Sequence, residues 1–217
     1  TATTNAVGSV LTAANLKTIN GASVIGSGDV SLPVGSSSFH TFTSSGTWTK
    51  PAGVTKIHVQ LVGGGGGAGQ YGETGGAGGY SEKWIDVSAI TSVAVTIGGG
   101  GSGSGYTNSG AGGTTSFGTY LSASGGTGCR HSSNHAGGHG GIGSGGSINL
   151  RGGGGFGHSN PEGSRNGAAS FFGGGTNASY TVSNFVNGAP GSGGATGQTT
   201  HITGSAGIPG MVIIWEY

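Results

Sequence analysis

Apolar and polar residues alternate in the parts of this chain that are able to form strands. Ile57, Val59 and Leu61 share one face of an extended strand, and the residues between them are polar. The same period of two returns at 92–97, and the chain closes on the apolar run 211–217. The pattern predicts a small antiparallel β-framework built from 39–62, 80–97 and 211–217.

Between these strands the period changes from two to three. Directly after the first strand, glycine occupies every third position: Gly63, Gly66, Gly69, Gly72, Gly75 and Gly78. The register returns at 137–146, 188–197 and 204–210. Three residues per turn is the period of a polyproline II helix, which has no internal hydrogen bonds. The sequence therefore predicts rods that pack along bare glycine edges and satisfy one another's backbone groups.

Composition makes this collective packing necessary. Glycine supplies 56 of the 217 residues and proline only five, which argues against a collagen helix. Glycine loses more backbone entropy on folding than any other residue, so a flexible linker is the alternative. The recurring register and the closing strand, which needs partners upstream, favour a folded region. We predict an all-β fold in which an antiparallel framework encloses packed polyglycine II layers at 63–79 and 98–210.

Residues 1–35 differ from the rest of the chain. They are small, β-branched and interrupted by turns, with too little apolar bulk for a monomeric core. An oligomer would supply the missing contacts, so we expect a trimerising neck at 1–35, followed by one glycine-rich domain at 36–217. Because the only methionine is Met211, we expect the sequence to be part of a longer protein.

Charge and apolar content exclude several classes of partner. Seven Lys and Arg balance six Asp and Glu, so bulk charge gives no surface for nucleic acid. No apolar run approaches the length of a membrane span, and we expect no membrane insertion. Cys129 is the only cysteine, which excludes an intrachain disulfide.

The segments between glycine runs carry the candidate binding residues. They combine flat aromatic side chains with the adaptable hydrogen bonding of Asn, Ser, His and Arg, a mixture typical of recognition loops on a rigid scaffold. The candidates are Tyr106, Asn108, Arg130, His131, Asn134, His135, His158, Asn160, Arg165, Phe171, Phe172 and His201.

The order of the runs predicts where these loops emerge. If the runs from Gly98 onward each cross the domain once, 114–136, 158–172 and 198–203 share one end, opposite 147–151 and 176–187. The short run at 173–175 is the weak point, since three residues advance only about 9 Å. If it fails to cross, Tyr180, Phe185 and Asn187 join the binding end and His201 leaves it.

Three stretches resemble proteins of tailed phages. Residues 16–33, LKTINGASVIGSGDVSLP, resemble a segment that recurs in tail-fibre proteins. Residues 46–69, GTWTKPAGVTKIHVQLVGGGGGAG, resemble the opening of the glycine-rich domain at the receptor-binding ends of such fibres, and VIIWEY resembles its closing strand. The alternation of glycine runs with variable loops is similar to the phage tip adhesins built on polyglycine II helices.

The resemblance implies a function. It implies a homotrimer at the tip of a virion's tail fibre, with the fibre shaft continuing N-terminal to Thr1. It also implies that the loops bind an outer-membrane protein or lipopolysaccharide of the bacterial host, without cofactor, metal or catalysis. Some trimeric fibre tips hold iron at a His-X-His pair, and this sequence contains no such pair.

Four other functions have less support in the sequence. Residues 64–69 fit G-x-G-x-x-G, but no helical pattern follows, which disfavours a dinucleotide site. His131, His135 and His139 have helical spacing in a segment too glycine-rich for a helix, which disfavours a metal. A polysaccharide-degrading tailspike needs two neighbouring carboxylates, and Glu162 is the only Asp or Glu in the sequence of residues 98–210. An ice-binding or structural polyglycine II protein stays the main alternative, although bulky loops would disturb a flat ice-binding face.

Overall fold

A computed structural model describes residues 38–70, 72–105, 107–131, 136–157, 165–178, 187–197 and 203–217. The predicted neck at 1–35 lies outside the described residues. In the described part of the chain, no helix is long and apolar enough to cross a membrane.

Within the described residues, ten strands form two antiparallel sheets. In chain order they are β1 Ser38–Phe42, β2 Gly46–Thr49, β3 Lys56–Val62, β4 Tyr80–Asp86, β5 Ser92–Thr96, β6 Thr115–Phe117, β7 Leu121–Ala123, β8 Gly143–Ser144, β9 Ile148–Leu150 and β10 Met211–Glu216. Sheet 1 has the order β1-β10-β3-β4-β9, and sheet 2 has the order β2-β5-β6-β7-β8. These sheets confirm the predicted all-β fold with an antiparallel framework.

The two sheets enclose a hydrophobic core. Ile57, Val59 and Leu61 of β3 are fully buried there, as the alternation predicted. Trp48 and Phe117 of sheet 2 complete the core, with ring centroids 5.9 Å apart. The short strands β6 to β9 lie in the region predicted to hold only glycine helices and loops, and they extend both sheets beyond the predicted framework.

A buried carboxylate fastens the edge of sheet 1. The side chain of Glu216 is fully buried, and the indole Nε1 of Trp48 donates to its Oε1 at 2.8 Å. Ser38 donates to the other carboxylate oxygen, and His40 Nε2 lies 3.4 Å from Oε1. The carboxylate thus joins β1 and β2 to β10.

Extended glycine-rich segments occupy most of the remaining described chain. We number them PG1 63–69, PG2 73–79, PG3 98–104, PG4 109–113, PG5 124–130, PG6 136–142, PG7 152–157, PG8 165–170, PG9 173–177, PG10 192–197 and PG11 203–210. PG1 continues directly from β3 and PG2 leads directly into β4, so the framework and the segments share their chain.

PG1 lies at the centre of the bundle, and its hydrogen bonds have a period of three. Successive N–H groups donate in rotation to PG2, PG4 and PG11 at 2.8–3.0 Å: Gly63 to Gly79, Gly64 to Gly113, Gly65 to Ile208, Gly66 to Gly76, Gly67 to Gly110 and Ala68 to Ser205. Its carbonyls accept from PG3, PG5 and PG10, for example Gly65 from Gly101 at 2.8 Å and Gly66 from Gly194 at 2.8 Å. Six neighbours thus surround PG1, in the threefold pattern that packed polyproline-II-type rods require.

Close approach explains why the buried positions are glycine. A Cβ on Gly65 would lie 1.8 Å from the carbonyl oxygen of Ser192, and one on Gly75 would lie 1.9 Å from that of Gly66. Ordinary van der Waals contact begins near 3.4 Å. Any side chain at these positions would therefore force two segments apart and break their hydrogen bonds.

The segments run back and forth between the framework and the opposite end of the bundle, which we call the distal end. At the framework end, Gly63 donates to Gly79 at 3.0 Å, next to β3 and β4. At the distal end, Gly69 donates to Glu73 at 3.0 Å where the chain turns back. Hydrogen bonds of the adjoining segments place the described ends of six connections at the distal end: Gly69 and Glu73, Ser104 and Ser109, Arg130 and Ala136, Gly157 and Arg165, Asn177 and Asn187, and Gly197 and Thr203.

The glycine register predicted that the run at 188–197 crosses the bundle once, and this prediction was wrong. Ala189 donates to Gly174 at 2.9 Å, and the chain then turns at Pro190 and Gly191, where Ser192 donates back to Ala189 at 3.0 Å. Gly191 has a φ of 77°, which favours glycine and permits this turn. The stretch 176–187, predicted at the opposite end, therefore begins and ends with described residues on the distal side.

Candidate functional site

Three predicted binding residues meet at the distal end between PG4 and PG5. The backbone N–H of His131 donates to Oδ1 of Asn108 at 2.9 Å, which ties two distal stretches together. The neighbouring N–H of Arg130 donates to the carbonyl of Ala136 at 2.9 Å and joins the end of PG5 to the start of PG6. Arg130 and Asn108 are exposed, so their polar groups are offered to solvent on an anchored backbone.

A second group surrounds Arg165. A depression of about 310 Å³ is lined by Phe156, Arg165 and Asn166. Phe156 is 57% exposed, although its backbone N–H is fixed by a 2.8 Å hydrogen bond to the buried Thr74 Oγ1. Nη1 of Arg165 donates to the carbonyl of Gly157 at 2.8 Å, which holds the guanidinium beside the aromatic ring.

These groups have complementary binding chemistry. Oδ1 of Asn166 accepts a hydrogen bond from the backbone N–H of Ala178 at 2.8 Å, and this bond does not use its amide nitrogen. An exposed ring offers an apolar face, and a guanidinium offers paired donors for carboxylate or phosphate. The depression therefore suits a small group that combines an apolar face with acceptors, such as a sugar ring or an acidic substituent.

Buried polar groups support the distal end from beneath. Glu73 is fully buried, and Gln70 and Cys129 are almost so. The hydroxyl of Ser109 donates to the Gly67 carbonyl at 2.7 Å and lies 3.1 Å from Cys129 Sγ. Burial raises the pKa of the Cys129 thiol, which keeps it neutral and unreactive. This cluster fixes the backbone below the exposed residues.

Two predicted binding residues lie at the framework end and not at the distal end. Phe171 and Phe172 follow PG8 at the framework end, where the Phe171 ring stacks on Tyr80 with centroids 3.6 Å apart. Phe172 meets the same Tyr80 ring edge-on at 5.9 Å. The prediction that 158–172 is a single distal stretch was wrong. PG8 runs from the distal end to the framework end before the chain reaches Phe171, and its Ala168 donates to the Gly75 carbonyl at 3.3 Å on the way.

The other candidates cannot be placed. Tyr106, Asn134, His135, His158, Asn160 and His201 lie outside the described residues, as do Tyr180 and Phe185. Within the described ranges, no three His, Cys, Asp or Glu side chains come together in a way that could hold a metal ion.

Sequence reasoning missed Phe156 and Asn166. Phe156 is the only bulky residue of the run 152–157, GGGGFG, and that isolation in a bare glycine segment is the signal that could have identified it. Asn166 carries no such signal, because its role depends on PG8 and PG9 lying side by side, where Gly167 donates to Thr176 at 2.9 Å.

Comparison with known proteins identifies the class of this domain. No curated protein matches the chain. A family model described as a glycine-rich domain matches residues 40–215, which span both sheets and every glycine segment of the bundle. The chain therefore belongs to the glycine-rich domain family.

Proposed function

We propose that this chain is the tip adhesin of a phage tail fibre and binds a receptor on the bacterial surface through its distal end. The observation that supports the proposal is that the described ends of six connections lie at one end of a hydrogen-bonded bundle, whereas β1, which follows residues 1–37 in the sequence, lies in the framework. Binding residues are commonly placed on loops that a rigid scaffold positions.

The receptor in this proposal is an outer-membrane protein or lipopolysaccharide. Arg130 and the depression at Phe156 and Arg165 supply guanidinium and aromatic groups for acidic sugars, phosphates or a protein loop. The proposal places the protein in the virion at the fibre tip, as a homotrimer joined to a shaft through its N-terminal segment. It assigns binding and no chemical reaction to the distal end.

Charge-matched variants test the proposal. Arg130→Ala and Arg165→Ala should each weaken binding to susceptible cells and to outer-membrane fractions, assayed with and without lipopolysaccharide. Arg151→Ala is the control, because Arg151 lies at the framework end, where its Nη1 donates to the Gly140 carbonyl at 3.2 Å. Equal binding by all three variants and the parent, or equal losses in all three, would contradict a distal receptor site.

One observation favours ice binding as a second candidate. PG3 lies between PG4 and PG11, and their outward positions are small residues at every third place: Gly99 and Ser102, Ala111 and Thr114, Thr203 and Ala206. Such a flat array repeats about every 9 Å along each segment. Thermal hysteresis of the purified protein would support this candidate, whereas its absence together with cell binding would support the adhesin.

A further inference from the structure

The outer face of sheet 1 carries a row of aromatic rings that the proposed receptor site does not use. Cross-strand pairing places Phe39 opposite Trp215, Trp215 opposite His58, and His58 opposite Trp84. Two pairs of these rings are in contact: Phe39 and Trp215 have centroids 5.1 Å apart, and His58 stacks on Trp84 at 4.7 Å. Tyr217 continues it, 5.1 Å from Trp84. We call these five residues the aromatic row.

Four rings of the aromatic row are at least one-third exposed. Phe39 is 61% exposed, Trp84 47%, Trp215 37% and Tyr217 48%. With about 150–250 Å² per aromatic side chain, these four leave about 300–480 Å² of contiguous ring surface in water. Scattered apolar residues are normal on a surface, whereas a continuous patch of this size is often functional.

The polar residues of the same face argue for a partner with the same surface. Lys56 lies directly opposite Asp86, and the Lys56 ammonium is 4.9 Å from the centre of the Trp84 ring. Further along, Glu82 accepts from Gln60 Nε2 at 3.1 Å and from the Tyr80 hydroxyl, and these bonds lower its pKa and keep it charged. Both signs of charge are therefore present, so Lys56 of one copy can face a carboxylate of another.

Size and position point to the same partner. A stable interface buries about 800 Å² on each side, so the aromatic row supplies roughly half of one side before its neighbours are counted. The row begins at Phe39, next to Ser38, where residues 1–37 join the sheet in the sequence. The row crosses β3, β4 and β10 near the ends of these strands that are farther from the glycine bundle. A partner bound to the row would therefore leave the distal end accessible.

We infer that copies of this chain associate through the aromatic row on the outer face of sheet 1. The inference goes beyond the receptor proposal and does not depend on it, since a monomeric variant with an intact distal end should still bind cells. It also gives the proposed homotrimer a surface inside the glycine-rich domain, in addition to any contact made by the N-terminal segment.

Mass and association measurements on the full chain test the inference. The parent should form a species of more than one copy at micromolar concentration in analytical ultracentrifugation. Trp84→Glu and Trp215→Glu should each weaken association at least tenfold, because a charge would be buried against its own copy. Phe156→Glu is the control, since Phe156 is an exposed aromatic residue at the distal end, and its substitution should not alter the mass.

Tryptophan quenching separates this interface from association through residues 1–37 alone. Trp48 is 2% exposed, so acrylamide quenching reports mainly on Trp84 and Trp215, which should become protected as concentration rises. A parent that stays monomeric at high micromolar concentration overturns the inference. So does a multi-copy parent whose tryptophans stay fully quenchable, or protection that appears only when lipopolysaccharide is added. Unchanged far-ultraviolet circular dichroism shows that the Glu variants are folded.

Discussion

The strictest test of this fold compares two glycine-to-alanine substitutions. Gly66 lies in the centre of the bundle, and a Cβ there would be 2.0 Å from the carbonyl oxygen of Thr127 in PG5. Gly99 lies on the outside of PG3, where a Cβ would meet nothing within 4 Å. The two substitutions add the same methyl group, so any difference between them reports the packing of the segments.

The expected cost follows from the contact that must open. To bring the Gly66 Cβ to the 3.4 Å at which ordinary contact begins, PG5 must move away by more than 1 Å. That movement would break the bonds from Gly126 to Gly64 and from Cys129 to Gly67, now 2.9 and 3.3 Å long. Two buried bonds left unmade cost about 2–6 kcal/mol, whereas Gly99→Ala should gain about 0.4–1 kcal/mol by restricting the unfolded chain.

Thermal or urea unfolding followed by circular dichroism measures the difference. For a domain of this size, Gly66→Ala should lower Tm by about 4–24 °C, and Gly99→Ala should leave it unchanged or raise it by up to about 4 °C. Equal Tm values for the two variants would refute the packed-bundle explanation, because a flexible glycine chain would respond equally to both.

Four further predictions address other parts of the domain. Inserting one residue within 63–78 should destabilise the fold far more than inserting one within 198–202, as unfolding midpoints will show, because the former shifts the glycine register. Glu216→Leu should cost about 1–3 kcal/mol by leaving the buried Trp48 N–H without an acceptor, while Glu216→Gln, which keeps one, should cost less in the same assay. Cys129 should react with a thiol reagent only after denaturation, since it is buried and its pKa is raised. Finally, the lowered pKa of Glu82 stabilises the folded state at pH values above the ordinary glutamate pKa of about 4.3. This stability is lost as the pH falls through the lower pKa of the folded state. Glu82→Gln should therefore flatten that part of the curve of unfolding free energy against pH.

The regular parts of this fold were predictable because each repeats a local rule. Alternation in β3 predicted which residues face the core, and Ile57, Val59 and Leu61 are buried there. The glycine period predicted that each rod would bond laterally, and PG1 donates to three neighbours in rotation. Both rules depend on the backbone geometry of a single segment, which a short stretch of sequence specifies.

The connections between segments were not predictable in the same way. The run at 188–197 keeps a perfect glycine register, yet it turns at Pro190 and Gly191 instead of continuing. Phe171 and Phe172 looked like loop aromatics, but they pack on Tyr80 because PG8 returns them to the framework. A glycine register fixes how a rod can pack but says nothing about how many residues pass before the chain reverses.

The hydrogen-bond network explains how such a domain could keep a fixed bundle while its distal stretches differ in length and composition. Arg130 and Ala136 are bonded at 2.9 Å, and so are Gly69 and Glu73 at 3.0 Å, so each distal stretch starts and ends at positions that the bundle holds together. Because the ends are already fixed, doubling the length of a stretch costs only about 0.6 kcal/mol. A side chain on Gly65 or Gly66, in contrast, meets a carbonyl oxygen at 2.0 Å or less. Change is therefore inexpensive at the distal end and costly inside the bundle, which is the distribution that a receptor-binding surface on a constant scaffold needs.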